Sequence, residues 1–324
     1  MKVYELAKEK KLESKEMVAI CAQLGFEIKP QNKLKAEQLE ALQSYFQELE
    51  APAKKAAVTP TPAPVKKVAK KTVKKPLEPV RKTIAYIVTE CEPFTSLGDL
   101  GEKTVASVRE TASKGDQAII VLPKYKNLNM GTSSMEWVMD IPVYVGGTMH
   151  RASLHRLTGH GVTYLFVGNE TFFERENIYG YDDDLARFSF FNRAVLEILP
   201  YLGVKINEIH VNDWHTSIFS LIQKVAYKDH PYYRETQTVL NINDLSYQGW
   251  YDASILPNIL GIDGEYYHNG LTRMGDAVNI LKSGIETADL IRLTEKSKLQ
   301  MTLDDMVNSG ISYVLNHNLK TKAI

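Results

Sequence analysis

The stretch TIAYIVTECEPFTSLGDLGEKTVASVRETASKGDQAIIVL, residues 83–122, contains two apolar runs separated by a loop and an amphipathic segment. Thr83–Thr89 is the first apolar run, and it leads into the glycine-containing loop Pro93–Gly101. Asp116–Leu122 is the second apolar run. Because a helix-length segment separates the two strand candidates, this order predicts a parallel strand–helix–strand unit.

Further strand and helix candidates alternate along the rest of the chain. The strand candidates are Val162–Val167, Glu208–Val211 and Thr236–Ile242, with more peripheral strand structure at Met135–Val145. The helix candidates are Leu185–Leu199, Trp214–Val225 and Ala277–Ala288. This alternation predicts an α/β fold with a Rossmann-like parallel sheet flanked by helices. Such sheets bind ligands at the carboxyl ends of their strands, which here fall at residues 90–101, 212–215 and 243–249.

Composition divides the chain into a small helical module at 1–50, a linker at 51–82, an α/β domain at 83–315 and a tail at 316–324. The whole chain has 39 basic and 39 acidic residues, so its net charge indicates no particular partner. The linker is strongly basic, with nine lysines and Arg81 against Glu78. Its six prolines and few large apolar residues favour a disordered spacer. A weak contact with RNA or another polyanion is the alternative.

Membrane spans, secretion signals and metal sites are not indicated by the sequence. No apolar run approaches the ~20 residues of a membrane span, and the first residues lack the apolar core of a signal peptide. Cys21 and Cys91 have neither metal-site nor disulfide-framework spacing. His150, His155 and His160 fit no single helix face, which argues against a metal site there. We therefore expect a cytoplasmic protein with no membrane contact, no metal and no cofactor.

Five blocks of the α/β domain occur in the order found in one enzyme family. They are ECEPFTSLGDLGE (90–102), LFVGNETFFERENIYGYDDDLARFSFFNRAVLEILP (165–200), HVNDWHTS (210–217), NINDLSYQGWY (241–251) and NILKSGIETAD (279–289). The domain resembles the N-terminal, starch synthase catalytic domain of bacterial glycogen synthases and plant starch synthases, glycosyltransferase family 5. The resemblance implies one half of a GT-B fold. It also implies transfer of glucose from ADP-glucose or UDP-glucose to the end of an α-1,4-glucan.

The first 50 residues carry a separate resemblance. VYELAKEKKLESKEMVAICAQLGFEIKPQNKLKAEQLEAL, residues 3–42, is similar to the N-terminal module of bacterial translation initiation factor two. The resemblance implies a small helical docking module with a protein partner. It does not imply a role in translation.

The resemblance to the synthases also points to positions that bind substrate in the family. They are Glu90, Gly98, Gly101, Asp213, Trp214, His215, Tyr247 and Gln248. Other positions depart from the family pattern, so no catalytic residue is assigned. Ser96 replaces a family lysine near the donor phosphates, and Asp99 replaces a glycine where a carboxylate would repel a diphosphate. Asn243 replaces the histidine beside the transferring glucose, and an amide cannot titrate.

The C-terminal part of the sequence departs from the family as well. After Asp289 we recognise no second nucleotide-binding domain of the GT-B type. Together with Ser96 and Asn243, this predicts a glycogen synthase-like domain with impaired catalysis that binds α-glucan or a protein partner. An active α-1,4-glucan glucosyltransferase completed by a separate second domain is the alternative. A ribosome- or RNA-associated protein is a second alternative, based on the helical module and the linker.

The Asp-Trp-His stretch permits two structural interpretations. Trp214 presents its indole to a sugar, or it is buried in a helix cap in which Asp213 is the N-cap residue. In the first case, Trp214, Tyr247 and Trp250 would form an exposed aromatic wall at the strand ends, of the kind that marks an interaction site. The alternative to an exposed wall is that residues 290–324 fold back and cover it. The glycines of the 93–101 loop are interpreted as residues kept for a tight strand-to-helix turn.

Overall fold

The computed structural model describes residues 81–130, 134–159, 161–307 and 310–324, together with Val3, residues 32–34, Gln38 and Leu42. The chain forms two units, Met1–Pro76 and Leu77–Ile324. In the first unit, Val3 and Leu42 lie in helical segments and are buried. Most of the predicted helical module, and the predicted linker up to residue 80, lie outside the described residues, so both expectations stay predictions.

The second unit alternates strands and helices along its sequence. Its strands are Thr83–Ile87 (β1), Gln117–Pro123 (β2), Glu136–Val145 (β3), Thr148–Gly159 (β4), Val162–Gly168 (β5), Glu208–Asn212 (β6), Gln237–Ile242 (β7), Trp250–Tyr251 (β8), Arg273–Met274 (β9), Ala277–Asn279 (β10) and Leu290–Leu293 (β11). Its α-helices are Leu100–Ser113 (α1), Glu170–Phe173 (α2), Asp184–Ile198 (α3), Asp213–Ala226 (α4), Glu265–His268 (α5), Ile280–Thr287 (α6), Glu295–Val307 (α7) and Ile311–Lys322 (α8). A 3-10 turn follows α3 at Leu199–Leu202, and a π-helical turn lies at Leu256–Leu260.

The strands form one large sheet with the order β11-β7-β6-β1-β2-β5-β4-β3, beside a small sheet with the order β8-β10-β9. The neighbours from β11 to β5 pair in parallel, whereas β4 pairs with both β5 and β3 in antiparallel fashion. The predicted α/β fold with a largely parallel sheet is therefore confirmed. The strand order reverses between β1 and β6, and such a reversal is where doubly wound sheets open a ligand crevice.

One predicted element differs from the structure, and one strand of the structure was not predicted. Ala277–Ala288 was expected to be one helix, but its first three residues form β10, and α6 begins at Ile280. Asn279 ends the strand and caps α6, because its side-chain oxygen accepts the N–H of Lys282. Strand β4 was not predicted at all. One face of the β3–β4 hairpin is exposed, so its sequence lacks the apolar run that identifies the buried parallel strands.

The core lies between the sheet and the helices α3, α4 and α6. Phe188, Phe190 and Phe191 of α3 are fully buried, and each contributes about 2 kcal/mol through removal of its ring from water. Helices α4 and α6 approach closely at Gly284, where a Cβ atom would lie 2.4 Å from Cβ of Ser217. This packing fixes the start of α4, where the Asp-Trp-His stretch lies.

Candidate functional site

Glu90 organises the loop between β1 and α1. Its carboxylate is buried, and one oxygen accepts the backbone N–H of Leu97 at 2.6 Å. The other oxygen accepts the hydroxyl of Tyr179 at 2.9 Å. Burial raises the pKa of Tyr179 well above its usual value, so this hydroxyl keeps its proton and remains a donor. Glu90 therefore holds the loop against the segment before α3.

Ser96 and Asp99, which depart from the family pattern, make local contacts in this loop. The hydroxyl of Ser96 donates to the backbone oxygen of Gly98 at 2.9 Å. Asp99 forms an ion pair with Lys103 at 2.6 Å, and that hydrogen bond lowers the pKa of Asp99. A Cβ atom at Gly101 would lie 2.7 Å from Oγ of Ser96, so only glycine allows this approach. The interpretation of Gly101 as a residue kept for a tight turn agrees with this geometry.

Asp213 links the ends of the neighbouring strands β6 and β7. Its Oδ1 accepts the backbone N–H of Asn243 at 2.7 Å and that of Asp244 at 3.2 Å. The prediction that Asp213 is the N-cap residue of α4 is wrong, because the helix begins at Asp213 and Asn212 precedes it as N-cap. The carboxylate of Asp213 instead accepts hydrogen bonds from the backbone N–H groups that follow β7. The backbone of Asp213 is left-handed, with φ of 49°, a conformation that non-glycine residues rarely adopt.

The environment of Asp213 also alters its titration and holds Asn243 in place. Burial raises the pKa of Asp213 to about 6, against the opposing effect of the N–H donors from Asn243 and Asp244. The side-chain amide of Asn243 donates to Oδ2 of Asp213 at 3.3 Å and to Oδ1 of Asn212 at 3.4 Å. Asn243 is buried and cannot act as an acid or base. Its position serves the internal contacts of the strand ends.

Trp214 and His215 belong to the aromatic core. Trp214 is 7% exposed and packs edge-on against Phe188, with ring centroids 6.0 Å apart. His215 stacks near Trp214 and Tyr179, at centroid distances of 4.2 and 4.7 Å. Burial lowers the pKa of His215 to about 3, so the imidazole is neutral at physiological pH. The expectation that Trp214 forms part of an exposed wall is therefore wrong, and the buried interpretation holds.

The Tyr-Gln-Gly stretch after β7 combines an exposed tyrosine with two structural residues. Tyr247 is 72% exposed. The side chain of Gln248 accepts from the amide of Asn279 at 2.8 Å and donates to the backbone oxygen of Leu245 at 3.1 Å. Gly249 has a φ of 69°, and a Cβ atom there would lie 2.9 Å from Cε3 of Trp214. The stretch thus shapes the loop over Trp214.

Helix α7 covers part of the same strand end. Lys296 forms an ion pair with Asp244 at 2.5 Å, and the amide of Gln300 donates to that carboxylate at 2.7 Å. Partial burial opposes ionisation of Asp244, but the hydrogen bonds from Lys296, Gln300 and Ser246 outweigh it and lower the pKa of this carboxyl below its usual range. Tyr247 and Trp250 remain exposed. Residues 290–324 thus contact the loop at Asp244 and leave Tyr247 and Trp250 exposed, so the expectation that they cover the aromatic wall is wrong.

A groove of about 550 Å³ opens beside the β1–α1 loop. Its lining includes Pro93, Ser96 and Leu97 from the loop, and Tyr125, Asn127, Asn129, Arg175 and Asn177 from two other segments. The hydroxyl of Tyr125 is buried and has no hydrogen-bond partner among the described residues. Sequence reasoning missed Tyr125, Asn127 and Asn129, because they lie in no family block and follow β2 without a recognisable motif. Arg175 and Asn177 lie within the quoted block at 165–200.

Neither a metal-binding cluster nor a membrane-spanning helix occurs among the residues that the structure describes. Those residues contain no group of three or more His, Cys, Asp or Glu side chains placed to hold a metal ion. None of the described helices is long and apolar enough to cross a membrane. Cys91 is buried, and burial raises the pKa of its thiol to about 12, so it is not a reactive thiolate.

Comparison with known proteins agrees with this geometry. The family model described as starch synthase catalytic domain matches residues 83–317. The chain belongs to this family. A second model, translation initiation factor IF-2, N-terminal region, matches residues 1–48, so the resemblance of the N-terminal segment is confirmed. The chain is thus a starch synthase catalytic domain homologue preceded by a module found in an initiation factor.

Several curated relatives of this starch synthase family member are glycogen synthases. That of Bacillus subtilis is 32% identical over 207 residues, which cover 64% of this chain and 43% of the relative. The glycogen synthase of Clostridioides difficile is 33% identical over 264 residues, which cover 74% of this chain and 55% of the relative. The chain spans about half the length of the curated relatives it matches. The catalytic domain of Starch Synthase IV from Arabidopsis thaliana, solved bound to ADP and acarbose, has the same fold, with a TM-score of 0.68 and 24% sequence identity. The match covers 76% of this chain and 51% of that one.

Proposed function

We propose that this starch synthase-like domain binds α-glucan and does not transfer glucose to it. The proposal is carried by a contrast between two neighbouring places. Ser96, Asp99 and Asn243, which align with donor-binding positions of the family, are engaged in contacts within the chain. The groove beside them is open and lined with groups that suit a sugar.

The aligned positions lack the charge and the proton that glucosyl transfer needs. Departure of a nucleoside diphosphate develops negative charge that a fixed cation stabilises, and Ser96 supplies no such charge. Asp99 adds a carboxylate to the loop, although Lys103 neutralises it at 2.6 Å. Asn243 cannot exchange a proton, and its amide N–H groups are taken by Asn212 and Asp213. These contacts support the interpretation that Ser96, Asp99 and Asn243 do not serve glucosyl transfer.

The groove beside the loop has the character of a carbohydrate site. Asn129 and Asn177 contribute amides, which can both donate to and accept from sugar hydroxyls. Asn127 contributes its side-chain oxygen as an acceptor, because its Nδ2 already donates to Glu176. Leu97 is largely exposed at the rim and provides an apolar surface for a sugar ring. The volume of about 550 Å³ lies within the usual range for ligand pockets. The acarbose bound to the solved starch synthase favours a glucan-type ligand for this chain.

Titration of the 324-residue chain with maltoheptaose tests the proposal, with tryptophan fluorescence and calorimetry as readouts. We expect saturable binding that weakens several-fold in a Leu97→Ala, Asn127→Ala double variant. Tyr201→Ala is the matched control, because Tyr201 is an exposed aromatic residue outside the groove lining. No binding of maltoheptaose or glycogen, or equal binding in the double variant, would overturn the proposal.

An active glucosyltransferase, completed by a separate second domain, is the other candidate function. It is favoured by the survival of Glu90 and of a buried Asp213 whose pKa is about 6. ADP-glucose or UDP-glucose would be its donor. The partner of residues 1–50, and a role at a ribosome or RNA, remain proposals that rest on the match to the initiation factor module.

A further inference from the structure

A second cavity, of about 230 Å³, lies at the reversal of strand order between β1 and β6. We call it the switch-point cavity. It is lined by Lys103 from α1, by Asn212, Asn241 and Asn243 from the ends of β6 and β7, and by Arg292 and Thr294 at the end of β11. The groove beside the glycine loop shares none of these lining residues. The cavity is therefore a separate space in the position where doubly wound sheets bind ligands.

Arg292 gives this cavity a positive charge, which acts on the carboxylate of Glu110, a group already paired with Lys114. The carboxylates that bear on this region each have another cation: Asp99 pairs with Lys103 at 2.6 Å, Glu110 with Lys114 at 2.6 Å, and Glu208 with Lys82 at 2.7 Å. Within the described ranges, the half-buried side chain of Arg292 makes no hydrogen bond or ion pair. A guanidinium without a partner, placed at the wall of a cavity, is suited to bind an anion by a two-pronged contact.

The asparagines of the cavity provide acceptors for hydroxyl groups. Nδ2 of Asn241 donates to the backbone oxygen of Val211 at 3.2 Å. Nδ2 of Asn243 donates to Asn212 and Asp213. The side-chain oxygens of Asn241 and Asn243 accept no hydrogen bond from any described residue. They are free to accept from a ligand, whereas the hydroxyl of Thr294 is engaged with the backbone oxygen of Asn243 and with Ser297.

We propose that the switch-point cavity binds a small sugar phosphate, with the phosphate on Arg292 and the sugar hydroxyls on Asn241 and Asn243. The guanidinium selects a phosphate monoester, and the amide oxygens select a polyhydroxylated group rather than an apolar one. The volume of about 230 Å³ is below the range of ordinary ligand pockets, so a nucleoside diphosphate sugar does not fit inside. This ligand differs in class from the α-glucan of the neighbouring groove, and the inference does not rest on glucan binding.

Isothermal titration of the full chain with glucose 1-phosphate, inorganic phosphate and glucose tests the inference. We expect glucose 1-phosphate to bind more tightly than inorganic phosphate, and glucose to show no measurable binding. Arg292→Gln should weaken the binding of glucose 1-phosphate by at least about ten-fold, equivalent to ~1.4 kcal/mol. Arg292→Lys should give an intermediate affinity, because it keeps the charge and loses the fork geometry.

Lys298→Gln is the matched control, since it removes an exposed positive charge that pairs with Glu295 on α7 and lies outside the cavity lining. It should bind glucose 1-phosphate as the unmodified chain does. Equal affinity in Arg292→Gln, or no binding of either phosphate at millimolar concentration, would overturn the inference. Inorganic phosphate binding as tightly as glucose 1-phosphate would overturn its sugar component. Maltoheptaose binding should be unchanged in a folded Arg292→Gln variant, because the glucan needs only the groove. A loss of glucose 1-phosphate binding can therefore be distinguished from a failure of the proposed function.

Discussion

The carboxylate of Asp213, at the start of α4, accepts the backbone N–H of Asn243 at 2.7 Å and so holds the residue that follows β7. Two residues further along, His215 is buried in the same region. The pKa values of these two groups move in opposite senses relative to their ordinary values, to about 6 for Asp213 and to about 3 for His215. Both shifts arise from burial, which penalises the charged form of each group.

Asp213→Asn should become progressively more stable, relative to the unmodified chain, as pH rises from 4 to 6. The unfolded carboxyl has a pKa near 3.8 and the folded one about 6, so the native state retains a proton that the unfolded state releases. This group therefore lowers stability as pH rises through that window, by roughly 3 kcal/mol in total. Asparagine keeps the Oδ1 acceptor and does not titrate. Urea unfolding across this pH range measures the difference, and a difference independent of pH would contradict the prediction.

His215→Gln should show the opposite trend. The unfolded imidazole titrates near 6.5 and the folded one near 3, so stability supplied by the neutral buried ring is lost as pH falls below 6.5. By pH 5 this loss amounts to roughly 2 kcal/mol. Glutamine does not titrate, so the variant does not suffer this loss. Its free energy of unfolding should therefore rise relative to that of the unmodified chain as the pH falls. His268→Gln, which changes an exposed histidine, is the control for loss of an imidazole.

Glucosyl transfer to glycogen from ADP-glucose or UDP-glucose should be undetectable with the purified chain. The reason is chemical, because Ser96 lacks a charge and Asn243 lacks a titratable proton. Incorporation of radiolabelled glucose is the measurement, with a glycogen synthase such as that of Bacillus subtilis as positive control. Transfer above background that is abolished in Asp213→Ala would favour the active alternative.

Gly249→Ala should destabilise the domain by about 2 kcal/mol or more. The new Cβ would lie 2.9 Å from Cε3 of Trp214 and 3.1 Å from Cβ of Ile280, and φ is 69° at this position. Both the overlap and the left-handed backbone oppose an alanine. Gly264→Ala is the matched control, because no atom lies within 4 Å of its Cβ position and its φ is −62°. Thermal unfolding compares them, and equal effects of the two changes would contradict the structural role of Gly249.

The parallel strands were predictable because each is an apolar run buried on both faces. Thr83–Thr89, Asp116–Leu122 and Thr236–Ile242 differ from β1, β2 and β7 by at most two residues at either end. Strand β4 was missed because its exposed face carries polar residues, and β11 is short. Hydrophobic pattern thus locates the strands that the core covers fully, whereas in the half-exposed hairpin it located β3 and missed β4.

Residue types located the candidate site but could not determine which groups meet in it. The five family blocks placed Asp213, Asn243 and Glu90 near strand ends, and the structure brings all three to the carboxyl edge of the sheet. The burial of Trp214 was not predictable, because an indole suits both a sugar surface and a core. Its place among Phe188, His215 and Tyr251 depends on helices that are distant in sequence.

The sequence by itself determined the alternation of strands and helices, because this follows from residue types and their spacing, and its five blocks determined the family. Tertiary structure decided which groups Ser96 and Asn243 contact. The order of the strands brings Arg292 of β11 to the same cavity as Lys103 of α1, although 189 positions separate them in the chain. Burial and charge compensation depend on such distant neighbours. The pKa values of Asp213 and His215 and the unpaired state of Arg292 therefore become visible only when the sheet is assembled.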